Sequence, residues 1–357
     1  MNPRKKTMVV LAVAAMLCCS AAFVKAGETA AVFTIPVIVV KYFPTNDGKI
    51  DIKVTGDCGA SLEETRAKTD RCTAEAVHAL QEGSRYHAYR NPKAPASVQY
   101  TILKTIGFLE PLPTVKRRSA DAPMTDYNRI MQRINIQEWV EQHGVKEVWI
   151  WGYHGGKVGL WESNMAGPYG DISNSSHDPK DLPVLDRTYT VYHYNYQRGT
   201  SEAVEDHMHQ FEALFNFVDG RERTPHDQWN QLFFWGKFVG SDISHKIIRP
   251  GCGWAHYPPN AEGDYDWANP RYVATDIADW KPDGSGAKTN INCSTWGGTG
   301  LGWFVYWMQS LPGKDNGLVY QGRPLTNWWL FVGDFDTAMK NKIGLLAPAP
   351  APAKPAH

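Results

Sequence analysis

Val148-Trp149-Ile150-Trp151 runs directly into Gly152-Tyr153-His154-Gly155-Gly156. Four consecutive large apolar residues, two of them β-branched, stopped by a glycine turn, describe a short strand buried on both faces. Strands of that kind belong to parallel sheets covered by helices. The flanking sequence has the matching rhythm. Upstream, Phe33 to Tyr42 is a β-branched run closed by Pro44-Thr45-Asn46-Asp47-Gly48. Ser61 to Glu82 opens on the capping-box pattern Ser61-Leu62-Glu63-Glu64 and stops at Gly83. Val98 to Leu109 reads as a second strand and Asp126 to His143, closed by Gly144, as a helix. Downstream, Arg187 to Tyr196 alternates as a strand and Thr200 to Val218 is an amphipathic helix. Thr224-Pro225 then opens a helix to about Val239, with proline in the favoured first turn. The alternation predicts an α/β fold with a mostly parallel or mixed sheet and flanking helices.

After Gly240 the rhythm fails. Gly251-Cys252-Gly253-Trp254, Tyr257-Pro258-Pro259-Asn260, Asp264-Tyr265-Asp266-Trp267 and Pro282-Asp283-Gly284 are turn sequences, relieved by a helix over about Gly300 to Gln309. Residues 27–345 are therefore expected to form a single α/β domain. In it, 27–240 is the βα core and 241–345 a turn-rich, Trp-rich, disulfide-linked extension. The Pro/Ala segment 346–357 reads as a disordered tail.

At the other end, Arg4, Lys5 and Lys6 precede the apolar run Met8 to Val24, and Val24-Lys25-Ala26 offers a cleavage site. Residues 1–26 read as a signal peptide, which implies a secreted or periplasmic protein with no stable membrane insertion after cleavage. Six cysteines then become four: Cys58, Cys72, Cys252 and Cys293. An even number in an oxidising compartment predicts two disulfides, most simply Cys58 with Cys72 and Cys252 with Cys293. The 357 residues balance 37 basic against 37 acidic. No excess of positive charge is available to release counterions from a polyanion, so nucleic acid is excluded as a partner class. All 14 tryptophans fall between Trp139 and Trp329.

In parallel α/β sheets ligands bind beyond the carboxyl ends of the strands, and unusual chemistry gathers there. His154 follows one strand, with Trp161-Glu162-Ser163-Asn164 shortly after it. Asn195 and Arg198 follow another, and the next helix begins Ser201-Glu202-Ala203-Val204-Glu205-Asp206-His207-Met208-His209. Loop carboxylates Asp171, Asp264 and Asp266 are further acid or base candidates. A strand followed by His154-Gly155 is similar to that of caspase-like cysteine peptidases. Such an enzyme needs a free thiol, whereas four cysteines are better used as two bridges. Gly155-Gly156-Lys157-Val158-Gly159 lacks the Gly-Lys-Ser/Thr ending of a phosphate loop.

Glu162 beside Trp161 is the expected acid, because an apolar neighbour disfavours its charge. Glu202 at a helix start is the expected base, held ionised by the helix dipole, with His154 as a third catalytic candidate. Trp161, Trp254 and Trp267 in polar loops, with Asn164, Asn195 and Arg198, are the expected substrate-binding residues. Ring faces beside amides suit a glycan or another small molecule. The leading expectation is thus an exported hydrolase acting on a carbohydrate-containing substrate by carboxylate acid/base catalysis. One alternative is a metal-dependent hydrolase in which His207, His209 and Glu205 hold zinc or calcium, since Glu205 and His209 lie one helical turn apart. The other is a non-catalytic glycan-binding protein.

Overall fold

Residues 32–56, 59–116, 122–178 and 180–348 are described by the computed structural model. The expected signal segment, Cys58 and the tail from residue 349 lie outside them. Every residue of the Trp149 strand is buried, and the sheet is built outward from it. Strands β1 (Phe33–Tyr42), β2 (Val98–Phe108), β3 (Glu147–Gly152), β4 (Ser163–Ala166) and β5 (Tyr189–Asn195) form a five-stranded sheet in the order β2-β1-β3-β5-β4. Pairing is parallel except at β4, which runs antiparallel to β5. The fold is α/β with a mostly parallel, mixed sheet. Among the described residues no helix is long and apolar enough to cross a membrane.

Helices α1 (Leu62–Gly83), α2 (Tyr127–Arg133), α3 (Ile136–His143), α4 (Thr200–Asp219) and α5 (Gly300–Met308) flank the sheet. Side chains of a strand alternate between its faces, so Trp149 and Trp151 point the same way, toward α1 and α4. Trp151 Nε1 donates to Thr73 Oγ1 of α1 at 2.8 Å, and the Trp149 ring lies 5.3 Å from that of His207 on α4. On the opposite face His193 of β5 meets Tyr127 of α2 edge-on. Helix α1 starts on the expected capping box. Glu64 N–H donates to Ser61 Oγ at 3.1 Å, and Ser61 N–H donates to the Glu64 carboxylate at 2.9 Å. Lys41 of β1 is buried beneath α1, where its ammonium donates to Thr69 Oγ1 at 2.9 Å and Asp70 Oδ1 at 2.6 Å. A buried cation without such partners would be strongly destabilising. Strand β2 is one edge of the sheet, β4 the other. Its register with β1 shifts between Val37 and Ile38, so Leu103 faces no partner and forms a bulge.

The structure departs from the sequence expectations in four places. The helix expected over Asp126 to His143 is two helices, because Asn135 adopts a left-handed conformation with φ 53°. Thr224 to Val239 is not one α-helix: a 3₁₀ stretch, His226–Gln231, leads into wide π-type turns, Phe233–Val239. Phe233, Phe234, Trp235, Phe238 and Val239 are all buried. A regular helix with one apolar stripe cannot turn all five inward, and the widened turn does. Ser163–Ala166, to which the sequence reading gives no element, is strand β4. Finally, among the described residues Cys72, Cys252 and Cys293 carry free thiols, so the expected Cys252–Cys293 bridge is absent. Cys252 is fully buried beside Tyr86, Tyr89 and Tyr306, whereas Cys293 opens the short turn Cys293–Trp296 with its N–H on the Asn269 carbonyl. The Cys58–Cys72 pairing lies partly outside the described residues.

Glu147 makes the fold pH-sensitive. Its buried carboxyl accepts the Nε1–H of Trp149 at 2.7 Å. Burial pushes its pKa from 4.5 up to about 8, against the pull of that hydrogen bond and of Lys146. The folded state therefore holds this proton more tightly than the unfolded chain. The resulting stability is complete below the unfolded pKa and is lost as pH rises through about 8. Glu147→Gln keeps an acceptor for Trp149 and removes the titration. Between about pH 5 and pH 9 the unfolding free energy of the wild type, read from urea melts, should fall by on the order of a few kcal/mol more than that of Glu147→Gln.

Candidate functional site

A cleft of about 790 Å³ lies beyond the carboxyl ends of β3 and β5. Its floor is the end of β5, His193 to Asn195, and one side carries His154 from the turn after β3. The approach to β4 adds Trp161 and Glu162, and the loop beyond β4 adds Asn174 and Ser175. The opposite wall is the start of α4, from Arg198 and Glu202 to Glu205 and Asp206. Tyr265 and Trp267 of the turn-rich region close the rim. Of the residues singled out from sequence, His154, Trp161, Glu162, Asn195, Arg198, Glu202, Glu205 and Trp267 therefore share one cavity.

Others are elsewhere. Asn164 sits inside β4 opposite Val191 and is 1% exposed. Trp254 is buried and does not line the cleft; its ring stacks at 5.0 Å on His256. Trp280 and Trp296, also in turn sequence, are buried as well. His207 is fully buried on the sheet-facing side of α4. It stacks on Tyr192 at 3.7 Å and its Nε2 pairs with the Tyr194 hydroxyl at 2.7 Å. Burial holds its pKa well below the ordinary histidine value, and it stands on the other side of the helix from Glu205 and His209. None of the three described thiols lines the cleft.

The carboxylates differ in environment. Glu202 accepts the Gly199 N–H at 3.1 Å and closes the first turn of α4, and Glu162 accepts from the Asn174 side-chain amide. Asp206 is buried within the cleft wall. Burial first, and then the negative charges of Glu162, Glu205 and Glu202, push its pKa well above the ordinary carboxylate value, with His209 pulling the other way. Asp206 therefore keeps its proton to higher pH than an exposed carboxyl would. Sequence reading missed it. Its only signal is the i+4 position after Glu202, which any helix surface repeats.

His193 was missed too, because it continues an alternating strand. Burial, and then the nearby charge of His154, bring its pKa down to about 3, so it is a neutral imidazole on the cleft floor. Its Nδ1 lies 3.3 Å from the Tyr127 hydroxyl.

A second cluster lines the wall formed by α4 and the turn-rich region. Glu205 Oε1, His209 Nε2 and His256 Nε2 converge: 3.0 Å from Glu205 to His256, 3.0 Å between the two histidine nitrogens, and 3.8 Å from Glu205 to His209. Burial opposes charge on Glu205, yet hydrogen bonds from His209 and His256 outweigh it and hold the carboxylate down to about 2. Burial likewise opposes charge on His209, but Glu205 and Glu212 raise it well above the ordinary value. Among the described residues these three side chains, and not His207, form the group that could hold a metal. His256 carried no signal in sequence: it lies in a loop with no spacing relation to α4.

Comparison with family models, curated proteins and solved structures gives no match to this chain. The site accordingly stands on its own geometry.

The floor depends on Gly152. A Cβ there would lie 2.6 Å from His193 Nε2 and 2.8 Å from Leu112 Cδ1, whereas one at Gly107 on β2 meets nothing within 4 Å. Gly152→Ala should cost about 1–3 kcal/mol, read as a lower urea midpoint at constant slope. Gly107→Ala should leave the midpoint within about 0.5 kcal/mol.

Proposed function

We propose that the protein is an exported hydrolase acting on a carbohydrate-containing substrate, with Asp206 as proton donor and Glu162 as the base or nucleophile. One observation carries the reading. Two carboxyls of unlike setting line the same cleft: Asp206, buried in the wall with its pKa raised by that burial and then by the proximity of Glu162, and Glu162 itself at the approach to β4. Glycosidic bond cleavage needs that division of labour: an acid that protonates the leaving oxygen, and a carboxylate that activates water or attacks the sugar carbon. The expected pairing was Glu162 as acid with Glu202 as base. The burial of Asp206 and the use of Glu202 as a helix cap favour the reassignment.

The remaining lining fits a sugar. Trp161, Trp267 and Tyr265 offer aromatic surface, and Asn174, Asn195 and Arg198 offer hydrogen-bonding groups. In this reading His154 binds substrate at the mouth of the cleft. The same aromatic and amide lining would serve a non-catalytic glycan receptor, and the carboxyl pair is the feature that a receptor does not need.

A panel of nitrophenyl glycosides and oligosaccharides should yield a substrate turned over by the wild type. Glu162→Gln and Asp206→Asn should each lower kcat by about 10³-fold or more on the scale of acid/base catalysis, with Glu162→Gln shifting Tm by less than about 2 °C. Sugar binding without turnover would move the protein to the receptor class. A large loss of Tm in Glu162→Gln would assign that residue to structure.

A further inference from the structure

We propose that Glu205, His209 and His256 form a binding site for a zinc-class divalent cation, with Glu212 and Asp264 orienting the two imidazoles. The inference does not rest on the hydrolase reading.

The first observation is geometric. Ligand atoms around a tetrahedral ion at about 2.0–2.1 Å stand about 3.3 Å apart, and neighbouring ligands of an octahedral ion about 2.9 Å. The three separations found here, 3.0, 3.0 and 3.8 Å, form a triangle of nearly that size. Only the Glu205–His209 edge is long, and one rotation about the flexible Glu205 side chain shortens it. The two imidazole planes cross at 83°, and the Nε2 atoms face each other at 3.0 Å.

The second observation concerns the far side of each ring. His209 Nδ1 lies 3.2 Å from Glu212 Oε2, and His256 Nδ1 lies 3.0 Å from Asp264 Oδ1. A carboxylate on Nδ1 fixes the proton there and frees Nε2 as a ligand, the outer arrangement that metal-bound histidines usually have. Glu212 is itself fixed, its other oxygen accepting the Ala255 N–H at 2.7 Å. His256 is held between the rings of Trp254 and Tyr265 at 5.0 and 4.1 Å. The whole arrangement is thus braced from both sides before any ion enters.

Charge points the same way. Three carboxylates, Glu205, Glu212 and Asp264, surround two imidazoles, and a divalent cation offsets most of that negative charge. Two imidazole nitrogens select a borderline ion such as Zn²⁺ over Ca²⁺ or Mg²⁺, which prefer oxygen. Three protein ligands leave at least one position to water. Glu205 and Tyr265 line the cleft, and the ligand side chains remain 10 to 16% exposed. The water-held position therefore opens toward the cleft, and the ion also clamps the turn-rich region to α4.

The test uses the full mature chain, stripped with a chelator and titrated with ZnCl₂ and separately with CoCl₂. One equivalent of Zn²⁺ should bind and raise Tm, and Co²⁺ should give visible absorption bands of a bound, low-symmetry ion. His256→Ala and Glu205→Gln should weaken binding at least 100-fold. Asp264→Asn alters an exposed side chain and no ligand, so it tests the site even if a ligand variant fails to fold. It should weaken binding about 10- to 100-fold. His143→Ala, on the distant helix α3, should bind as the wild type does. Absence of stoichiometric binding, meaning that the two nitrogens share only a proton, would overturn the proposal. So would binding indifferent to both His256→Ala and Asp264→Asn. Because metal binding is read without substrate, a failed glycosidase assay leaves this result intact, and the converse also holds.

Discussion

The seating of His207 against the sheet is the contact on which the rest of the site depends. Stacked on Tyr192 and hydrogen-bonded to Tyr194, with Trp149 at its edge, it fixes the rotation of α4 about its own axis. With Val204, Met208, Phe211 and Phe215 buried on the same side, the helix has one orientation available to it. Glu205, His209 and Glu212 must then face away from the sheet, toward the turn-rich region, and Glu202 and Asp206 face the cleft. A neutral imidazole suits this position because its apolar faces pack like an aromatic core residue while one nitrogen satisfies a buried tyrosine hydroxyl.

Much of the sheet was legible in the sequence because its signals are local. The two-sided burial of Val148 to Trp151, the capping box at Ser61 and the apolar stripe of α4 each follow from residues within a few positions of one another. What escaped detection was set by tertiary packing. Strand β4 is four residues long and exists because β5 offers it an edge. The π-type turns at Phe233 reflect a core that accepts aromatics from every side. The cysteine pairing was inferred from parity and compartment alone, and parity carries no geometry.

The candidate site was legible to the same degree and for the same reason. Residues at strand ends and at the start of α4 reach one cleft, as the position of ligand sites in parallel sheets implies. Their roles were less accessible. Burial sets the protonation of Asp206 and His193, and no sequence pattern measures burial to one residue. His256 comes from a turn-rich segment whose route over α4 could not be traced before the fold was known. The loop tryptophans divide similarly: Trp161 and Trp267 reach the cleft, while Trp254, Trp280 and Trp296 are buried in the main hydrophobic core and tie the turn-rich region to it.

The bulge at Leu103 bears on how the molecule behaves in company. Strand β2 is an eleven-residue edge, long enough for its unpaired N–H and C=O groups to recruit a strand from another molecule. With one residue out of register near the middle and Lys104 beside it, the row is broken into two short stretches of differing twist. Neither is a continuous template, and exposed Ile102 and Leu103 sit at the break. A bulge of this kind is one of the devices that make an edge strand a poorer template for pairing with another chain.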